Sequence, residues 1–172
     1  MQVSRVRLQG DVADQVMSLY RRFPADSLPS FVTTNTHERR PIFRSEATCE
    51  LFIRTLYEVR DEARLRLLGF CVMPDHVHLI LATDTEELGH SMQLIKGRFA
   101  RAYNQTAGRT GAVWQSRYHE QTLRSEEALL DTIEYVMQNP IVARLAVNVE
   151  EYRWSSASGR YETDLDDYLG LD

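Results

Sequence analysis

Two short apolar runs with a turn between them constrain the fold of this chain more than any other feature of its sequence. They cover residues 66–72 and 77–82, and the tripeptide Met-Pro-Asp at 73–75 lies between them. Apolar runs of this length are typical of buried strands, and proline followed by aspartate favours a turn. We therefore predict either a pair of strands joined by a turn or one bent strand at this place in the chain.

Three segments with helical periodicity accompany these runs. Residues 47–60 place apolar side chains among charged ones, and residues 86–104 repeat apolar side chains at helical spacing. A third helix is expected to begin at Ser125, because serine is a favoured N-cap residue. It is expected to end near Asn139, because Pro140 disfavours helical angles in the residue before it.

The order of the expected elements predicts the fold class. Extended segments are expected at residues 32–34 and 113–123, which gives the order β-α-β-β-α-β-α. This order favours an α+β fold, in which an antiparallel sheet is sandwiched by helices. We expect the domain to cover residues 29–157, with an N-terminal appendage at 1–28 and an acidic C-terminal tail at 158–172.

Charge is unevenly distributed along the chain, whose formal net charge is −5. Residues 149–172 contain seven acidic and two basic side chains, whereas residues 91–124 contain six basic and one acidic side chain. The basic segment is either a solvated surface or a contact for nucleic acid. No apolar run has the length of a membrane span, no signal peptide is evident and only two cysteines occur, so we expect a cytoplasmic protein with no membrane partner.

Two histidines, His76 and His78, stand at the start of the second apolar run. Side chains two residues apart on a strand point to the same side, so both imidazoles are expected to share one face. Such a pair provides two ligands of a metal site, although two ordinary histidines on a polar face would produce the same pattern. A metal site requires at least one further ligand.

The expected third helix carries a tyrosine on its polar side. At about 100° per residue the apolar side chains of this helix form one arc, and Tyr135 lies nearly opposite the centre of that arc. Asn139 follows one turn later on the same face. Core packing does not require a tyrosine at this position, so Tyr135 is either a surface residue or the best candidate nucleophile in the chain.

Four segments of the sequence occur in the order and spacing of a known family. They read "FVTTNTHERRPIF", "GFCVMPDHVHLIL", "WQSRYHEQTLRSEEALLDTIEYVMQNPIVARL" and "YRWSS", and the match covers roughly residues 30–157. The sequence in this range resembles the single-tyrosine HUH transposases of bacterial insertion sequences, and among these the REP-associated tyrosine transposases. The resemblance implies a ferredoxin-like fold of the HUH endonuclease type.

The resemblance also implies roles for particular residues. His76 and His78 match the metal-binding pair of the family, Tyr135 matches its nucleophile, and Asn139 matches the residue that completes the metal site. The implied activity is cleavage and rejoining of single-stranded DNA, with Mg²⁺ or Mn²⁺ as cofactor, hairpin-bearing DNA as substrate and a covalent 5′-phosphotyrosine as intermediate. The implied assembly is a monomer or a homodimer. Arg144 stands where the family often has glycine, which argues against a tight left-handed helix cap.

Basic and aromatic side chains alternate in the basic segment. This pattern suits a single DNA strand, because cations contact phosphates and aromatic rings stack on bases. The expected DNA-binding residues are Lys96, Arg98, Arg101, Arg109, Trp114, Arg117 and Tyr118, together with a second patch formed by Arg39 and Arg40.

Two other functions fit the same residues. One is a DNA-hairpin-binding regulator that has the fold but does not cleave, and the presence of Tyr135, His76 and His78 argues against it. The other is a metal-dependent hydrolase, which would leave a free 5′ phosphate. The sequence does not identify a general base for Tyr135, whose ordinary pKa near 10 makes the phenol a weak nucleophile at neutral pH.

Overall fold

The computed structural model describes residues 28–83 and 85–171, and its centre is a four-stranded sheet. The strands are β1 (Pro29–Asn35), β2 (Arg66–Met73), β3 (His76–Ala82) and β4 (His119–Thr122), in the spatial order β2-β3-β1-β4. Every pairing in this sheet is antiparallel. The two apolar runs form the hairpin β2–β3, so the strand-pair alternative is confirmed.

Helices cover both faces of the sheet, which confirms the predicted α+β class and element order. The α-helices are α1 (Glu46–Ala63), α2 (Thr85–Thr106), α3 (Glu126–Val142) and a short α4 (Leu165–Leu169). Single 3-10 turns occur at His37–Arg39, Ile42–Arg44 and Ser156–Ser158. None of the helices in the described ranges is sufficiently long and apolar to cross a membrane.

One face of the sheet packs against α1 and α2. Val77 and Leu79 of β3 are fully buried on this side, together with Phe52 of α1 and Phe99 of α2. The two phenylalanine rings meet edge to face with centroids 5.4 Å apart. Burying a side chain of this size contributes about 1.5–3 kcal/mol, so this core fixes which face of β3 is turned away from it.

The opposite face of the sheet packs against α3 and α4. Leu129, Ile133 and Val136 of α3 are buried against Ile80 of β3. Because residues two apart on a strand share a face, His76 and His78 lie on the same side of the sheet as Ile80. The second core therefore holds α3 beside the two histidines.

The N-terminus of α3 is as predicted, but its C-terminus is not. The Ser125 hydroxyl accepts a hydrogen bond from the backbone N–H of Ala128 over 3.0 Å, which is a normal N-cap. The helix was expected to end near Asn139 but continues through Pro140 to Val142. Pro140 is itself buried, and this packing offsets the single backbone hydrogen bond that a proline removes from the last turn.

The helix α3 closes with a left-handed cap, so the expectation drawn from Arg144 is wrong. Arg144 has a φ of +58°. Its N–H donates to the carbonyl of Ile141 over 2.9 Å, and the N–H of Leu145 donates to the carbonyl of Pro140 over 2.8 Å. These two bonds form the Schellman pattern, which here places a non-glycine residue in the strained left-handed region.

The acidic C-terminal residues pack onto the sheet. Tyr168 and Leu169 of α4 are buried in the second core. Asp164 accepts a hydrogen bond from the N–H of Leu67 over 2.8 Å, and Arg60 donates two hydrogen bonds to the same carboxylate. The appendage expected at residues 1–28 lies outside the described residues except for Leu28, and the division at residue 157 stays a prediction.

Candidate functional site

The two histidines of β3 lie side by side on the face that α3 covers. Their Nε2 atoms are 3.1 Å apart, and their rings meet edge to face with centroids 4.7 Å apart. His78 is almost completely buried, whereas His76 retains some exposure to solvent. The Nε2 atoms therefore point at one common position beside the sheet.

Each histidine has a partner at its other ring nitrogen. Nδ1 of His76 lies 2.7 Å from a carboxylate oxygen of Asp75, and Nδ1 of His78 lies 2.9 Å from the hydroxyl of Thr33 on β1. A carboxylate only accepts hydrogen bonds, so Nδ1 of His76 carries the proton. The Thr33 hydroxyl can accept in the same way, and both Nε2 atoms then present lone pairs.

Burial keeps His78 neutral. The pKa of its imidazole is lowered to about 4, chiefly because burial disfavours the charged form and secondly because His76 lies close by. A hydrogen bond with the side chain of Asn139 opposes this shift in part. The neutral imidazole is the form that binds a metal ion, so His78 is ready for ligation at neutral pH.

The helix α3 brings Tyr135 and Asn139 to the histidine pair. The ring of Tyr135 meets the ring of His78 edge to face with centroids 5.7 Å apart, and it meets Phe31 of β1 in the same manner at 5.9 Å. The Asn139 side chain lies beside His78 and donates its Nδ2–H to the backbone carbonyl of Tyr135 over 3.1 Å. Tyr135 is 53% exposed, so its hydroxyl is accessible from solvent.

The donor set of this site fits a divalent cation. Two ligands at right angles and about 2.1 Å from an octahedral ion lie about 3.0 Å apart, and the Nε2 atoms of His76 and His78 are separated by 3.1 Å. Facing lone pairs at this distance repel each other unless a cation or a proton lies between them. A cluster of three or more His, Cys, Asp or Glu side chains suited to a metal is absent from the described residues. The Asn139 side chain lies beside His78, and its role as the third donor stays a prediction.

Residues 30–139 match the model of the family described as Transposase IS200 like. This range contains the histidine pair, Tyr135 and Asn139, and it is more than half of the 172-residue chain. The chain belongs to the IS200-like transposase family.

Similar proteins include other members described as transposases. A Haemophilus influenzae protein described as a REP-associated tyrosine transposase is 22% identical over 142 residues, which are 76% of this chain and 73% of the relative. A solved REP-associated tyrosine transposase bound to a REP hairpin has a TM-score of 0.66 and 21% identity, over 83% of this chain and 87% of the other. A Deinococcus radiodurans protein described as a transposase has a TM-score of 0.50 and 19% identity, over 79% of this chain and 95% of the other. At these identities the two solved structures establish the fold.

Arg39 and Arg40 of this IS200-like transposase lie in the turn beside the histidine pair. Arg39 has a φ of +55°, and its Nε–H is 2.9 Å from the second carboxylate oxygen of Asp75. Its Nη1 also donates to the side chain of Asn35 at the end of β1. Arg40 donates to the backbone carbonyls of His37 and Ala112. Arg39 is therefore linked through Asp75 to His76, and its contact with DNA stays a prediction.

Two of the basic residues on α2 have partners within the chain. The Lys96 ammonium donates to the carbonyl of Gln115 over 2.9 Å, and burial lowers the pKa of this amine. Arg98 forms a two-pronged ion pair with Glu62 of α1. These contacts engage both charges within the protein, and a role for either in DNA binding stays a prediction.

The aromatic residues of the basic segment occupy different environments. Trp114 is buried in the first core, its ring packs near Phe99 with centroids 5.2 Å apart, and its indole N–H donates to the carbonyl of Lys96. Trp114 also lines a surface cavity beside Tyr118, and its contact with DNA stays a prediction. Tyr118 is half-buried and has the Lys96 ammonium 5.7 Å from its ring centroid.

Three of the predicted DNA-binding arginines are exposed. Within residues 28–83 and 85–171, the side chains of these three form no ion pair or hydrogen bond with another residue. They are Arg101 on α2 and, after it, Arg109 and Arg117. Their guanidinium groups are available to phosphates, and their assignment to DNA binding stays a prediction.

Several polar residues at the site were absent from the sequence-based prediction. Asp75 directly precedes His76 in the sequence, and this adjacency could have indicated that its carboxylate contacts the His76 imidazole. Thr33 pairs with His78 on one side and with His119 of β4 on the other, which places all three on one face of the sheet. Only the strand register shows this relationship.

Proposed function

We propose that this protein is a metal-dependent transposase that cleaves and rejoins single-stranded, hairpin-bearing DNA through a covalent 5′-phosphotyrosine at Tyr135. One observation carries the proposal: α3 places Tyr135 and, one turn later, Asn139 beside the His78 imidazole. Membership of the IS200-like transposase family supports the activity. The structural relative bound to a REP hairpin supports a DNA hairpin as partner.

The roles of the residues follow from their chemistry. His76, His78 and Asn139 would hold a Mg²⁺ or Mn²⁺ ion through two imidazoles and an amide oxygen. Such an ion, when bound, neutralises the charge that develops on the non-bridging oxygens of a phosphodiester under attack. Asp75 and Thr33 fix the orientation of the two imidazoles, so the ligand geometry exists before DNA arrives.

The covalent step exchanges one ester for another. The Tyr135 oxygen forms a bond to phosphorus, and the bond between phosphorus and the 3′ oxygen of the preceding nucleotide breaks. The phenol gives its proton to solvent water, and the departing 3′ oxygen takes a proton from water to become a hydroxyl. Attack by another 3′-hydroxyl on the phosphotyrosine reverses the step and frees the phenol, so rejoining requires no nucleotide cofactor.

The four residues assigned to this reaction lie together within one chain. Tyr135 and Asn139 on α3 and both histidines on β3 belong to the same second face of the same sheet. The proposal is therefore that a monomer assembles a complete site without a helix from a second copy.

The test uses the full chain, Mn²⁺ and single-stranded oligonucleotides that contain a hairpin next to a randomised segment and carry a label at the 3′ end. The expected product is a labelled protein–DNA adduct that resists denaturant, because the downstream fragment with the 3′ label stays attached to the protein through its 5′ phosphate. Trypsin would locate the adduct on the peptide of residues 125–144, in which Tyr135 is the only tyrosine.

Tyr135→Phe is expected to abolish the adduct, because phenylalanine has no nucleophilic oxygen. Tyr103→Phe is the matched control, since the Tyr103 ring stacks on Phe99 in the first core, away from the histidines. An adduct that persists in Tyr135→Phe would exclude the proposed nucleophile. Cleavage that leaves a free 5′ phosphate would favour a hydrolase, and tight hairpin binding without cleavage would favour a regulator.

A further inference from the structure

A cavity of about 540 Å³ opens beside Tyr135, between α3 and the strands β1, β3 and β4. The rings of Phe31, His78 and Tyr135 form one part of its lining. The polar part includes His119 and Gln121 of β4 and Asp131 of α3. Tyr135, the proposed nucleophile, thus also lines this cavity. The proposed function does not assign a ligand to the cavity.

Three residues at successive turns of α3 connect the cavity to the reaction. Asp131, Tyr135 and Asn139 follow each other at intervals of four residues, so they lie on one face with about 5.4 Å between turns. Asn139 is directed at the histidine pair, Tyr135 is the nucleophile, and Asp131 lines the cavity on the other side. In a nucleotide only one sugar separates the base from the phosphate. If the phosphate lies at Tyr135, the base is therefore within reach of this cavity.

The lining of the cavity suits a nucleobase better than a phosphate. Phe31 and Tyr135 line the cavity with their rings edge to face, Tyr135 is 53% exposed, and aromatic rings exposed in this way are platforms for bases. The Asp131 carboxylate is negative and only accepts hydrogen bonds, so it repels phosphate and attracts N–H groups. Within residues 28–83 and 85–171, the side chains of Asp131, Gln121 and His119 form no hydrogen bond with another residue.

We propose that this cavity binds the nucleobase next to the scissile phosphate and that Asp131 selects guanine there by accepting hydrogen bonds from its base edge. This inference rests on the proposed function. Guanine presents two adjacent N–H donors, N1–H and the 2-amino group, and a carboxylate can accept from both. Gln121, on the opposite side of the cavity, has an amide that can donate to the guanine O6 atom. Asp131 is thus a specificity-determining residue.

The experiment measures adduct formation with the full-length chain and Mn²⁺. The bases that flank the adducted phosphate are first determined by sequencing the DNA captured from the randomised pool. We expect guanine to be enriched at one of the two flanking positions. Replacing that guanine by hypoxanthine, which lacks only the 2-amino group, is expected to lower the initial rate of the wild-type protein about tenfold or more.

Asp131→Asn is expected to lower the rate with guanine by a similar factor and to leave the rate with hypoxanthine within about twofold of wild type. The two changes would then be non-additive, as expected for groups in direct contact. Glu134→Gln removes the same charge from an exposed position on α3 that does not line the cavity, and it is expected to preserve the guanine preference.

Two results would overturn the inference. One is a wild-type protein with no preference for guanine at either flanking position. The other is an Asp131→Asn variant whose rate falls equally for every base, since that would indicate a general effect on Tyr135 instead of base selection. Both results require a Tyr135-dependent adduct, whereas failure of the proposed function would appear as the absence of any adduct.

Discussion

The Asp75 carboxylate joins His76 to Arg39: one of its oxygens lies 2.7 Å from Nδ1 of His76 and the other lies 2.9 Å from Nε of Arg39. Partners at this position keep Nε2 of a ligating histidine unprotonated and correctly oriented. We expect Asp75→Ala to weaken Mn²⁺ binding by about 10–100-fold. Calorimetric titration of the protein with Mn²⁺ measures this directly, and the Mn²⁺ concentration for half-maximal adduct formation should rise in parallel.

Asp61→Ala is the control for this prediction. Asp61 is an exposed carboxylate on α1 whose only ion pair in the described ranges is a loose contact of 3.9 Å with Arg60. This variant should bind Mn²⁺ as the wild type does. An unchanged Mn²⁺ affinity in Asp75→Ala would show that the carboxylate does not orient the proposed ligand.

Lys96 and Arg101 lie on the same helix but are expected to differ in their effect on DNA binding. Lys96 donates to backbone carbonyls, whereas Arg101 is exposed. A cation that neutralises one phosphate contributes about 0.7–0.9 to the slope of log affinity against log salt concentration. We expect Arg101→Gln to reduce this slope by about that amount and Lys96→Met to leave it unchanged, as measured by fluorescence anisotropy with a hairpin strand in the Tyr135→Phe background.

Lys96→Met should instead lower the free energy of unfolding by about 1–2 kcal/mol, because two backbone carbonyls lose a charged donor. Thermal unfolding measures this effect, and Arg101→Gln should change stability little. If Lys96→Met reduced the salt slope without loss of stability, the ammonium would be a phosphate contact after all.

Local sequence signals predicted much of this fold. Periodicity located α1 and α2, because each helix must bury one apolar stripe. The cap at Ser125 was predicted from residue type alone, since the serine hydroxyl satisfies an N–H group that the helix leaves free. The shared face of His76 and His78 followed from the geometry of any strand.

The remaining features depend on contacts between distant parts of the chain. The bond between Thr33 and His78 requires the register of β1 on β3, which no local pattern specifies. Trp114 was assigned to DNA binding because it alternates with cations along the sequence, whereas its burial in the first core depends on tertiary packing that no local pattern specifies. Asp164 was assigned to the acidic tail from composition. Its bond to Arg60 could not be predicted, because Arg60 lies 104 residues earlier in the chain.

The left-handed conformation of Arg144 offers a test of stored strain. A side chain with a Cβ atom at a φ of +58° costs about 1–2 kcal/mol, and glycine avoids this cost. Part of the gain is lost because glycine makes the unfolded chain more flexible. We expect Arg144→Gly to raise the free energy of unfolding by about 0.5–1 kcal/mol in urea denaturation.

Arg144→Ala separates strain from charge in this test. Alanine removes the guanidinium but keeps the Cβ atom, so it should bring no increase in stability. Equal stabilisation by glycine and alanine would show that loss of the arginine side chain, and not relief of the backbone, is the cause.

The bonds to Asp164 predict how stability depends on pH. Burial opposes ionisation of this carboxyl, but hydrogen bonds from Arg60 and from the N–H of Leu67 outweigh it and lower the pKa of Asp164 below its ordinary value. Because the pKa is lower in the folded state, the carboxylate stabilises the fold fully above the pKa of the unfolded state. This contribution is lost as the pH falls through the folded-state pKa.

Asp164→Asn is therefore expected to have a lower Tm than the wild type at pH 7, and the two Tm values should converge as the pH falls through the lowered folded-state pKa of Asp164. Circular dichroism melts over this pH range measure the difference. Asp166→Asn is the matched control, because it removes one charge from an exposed position of the same segment. Its Tm should fall with decreasing pH in the same way as that of the wild type. Parallel curves for Asp164→Asn and wild type would mean that this carboxylate does not couple protonation to folding, and the contact between the C-terminal residues and α1 would then owe its stability to the burial of Tyr168 and Leu169.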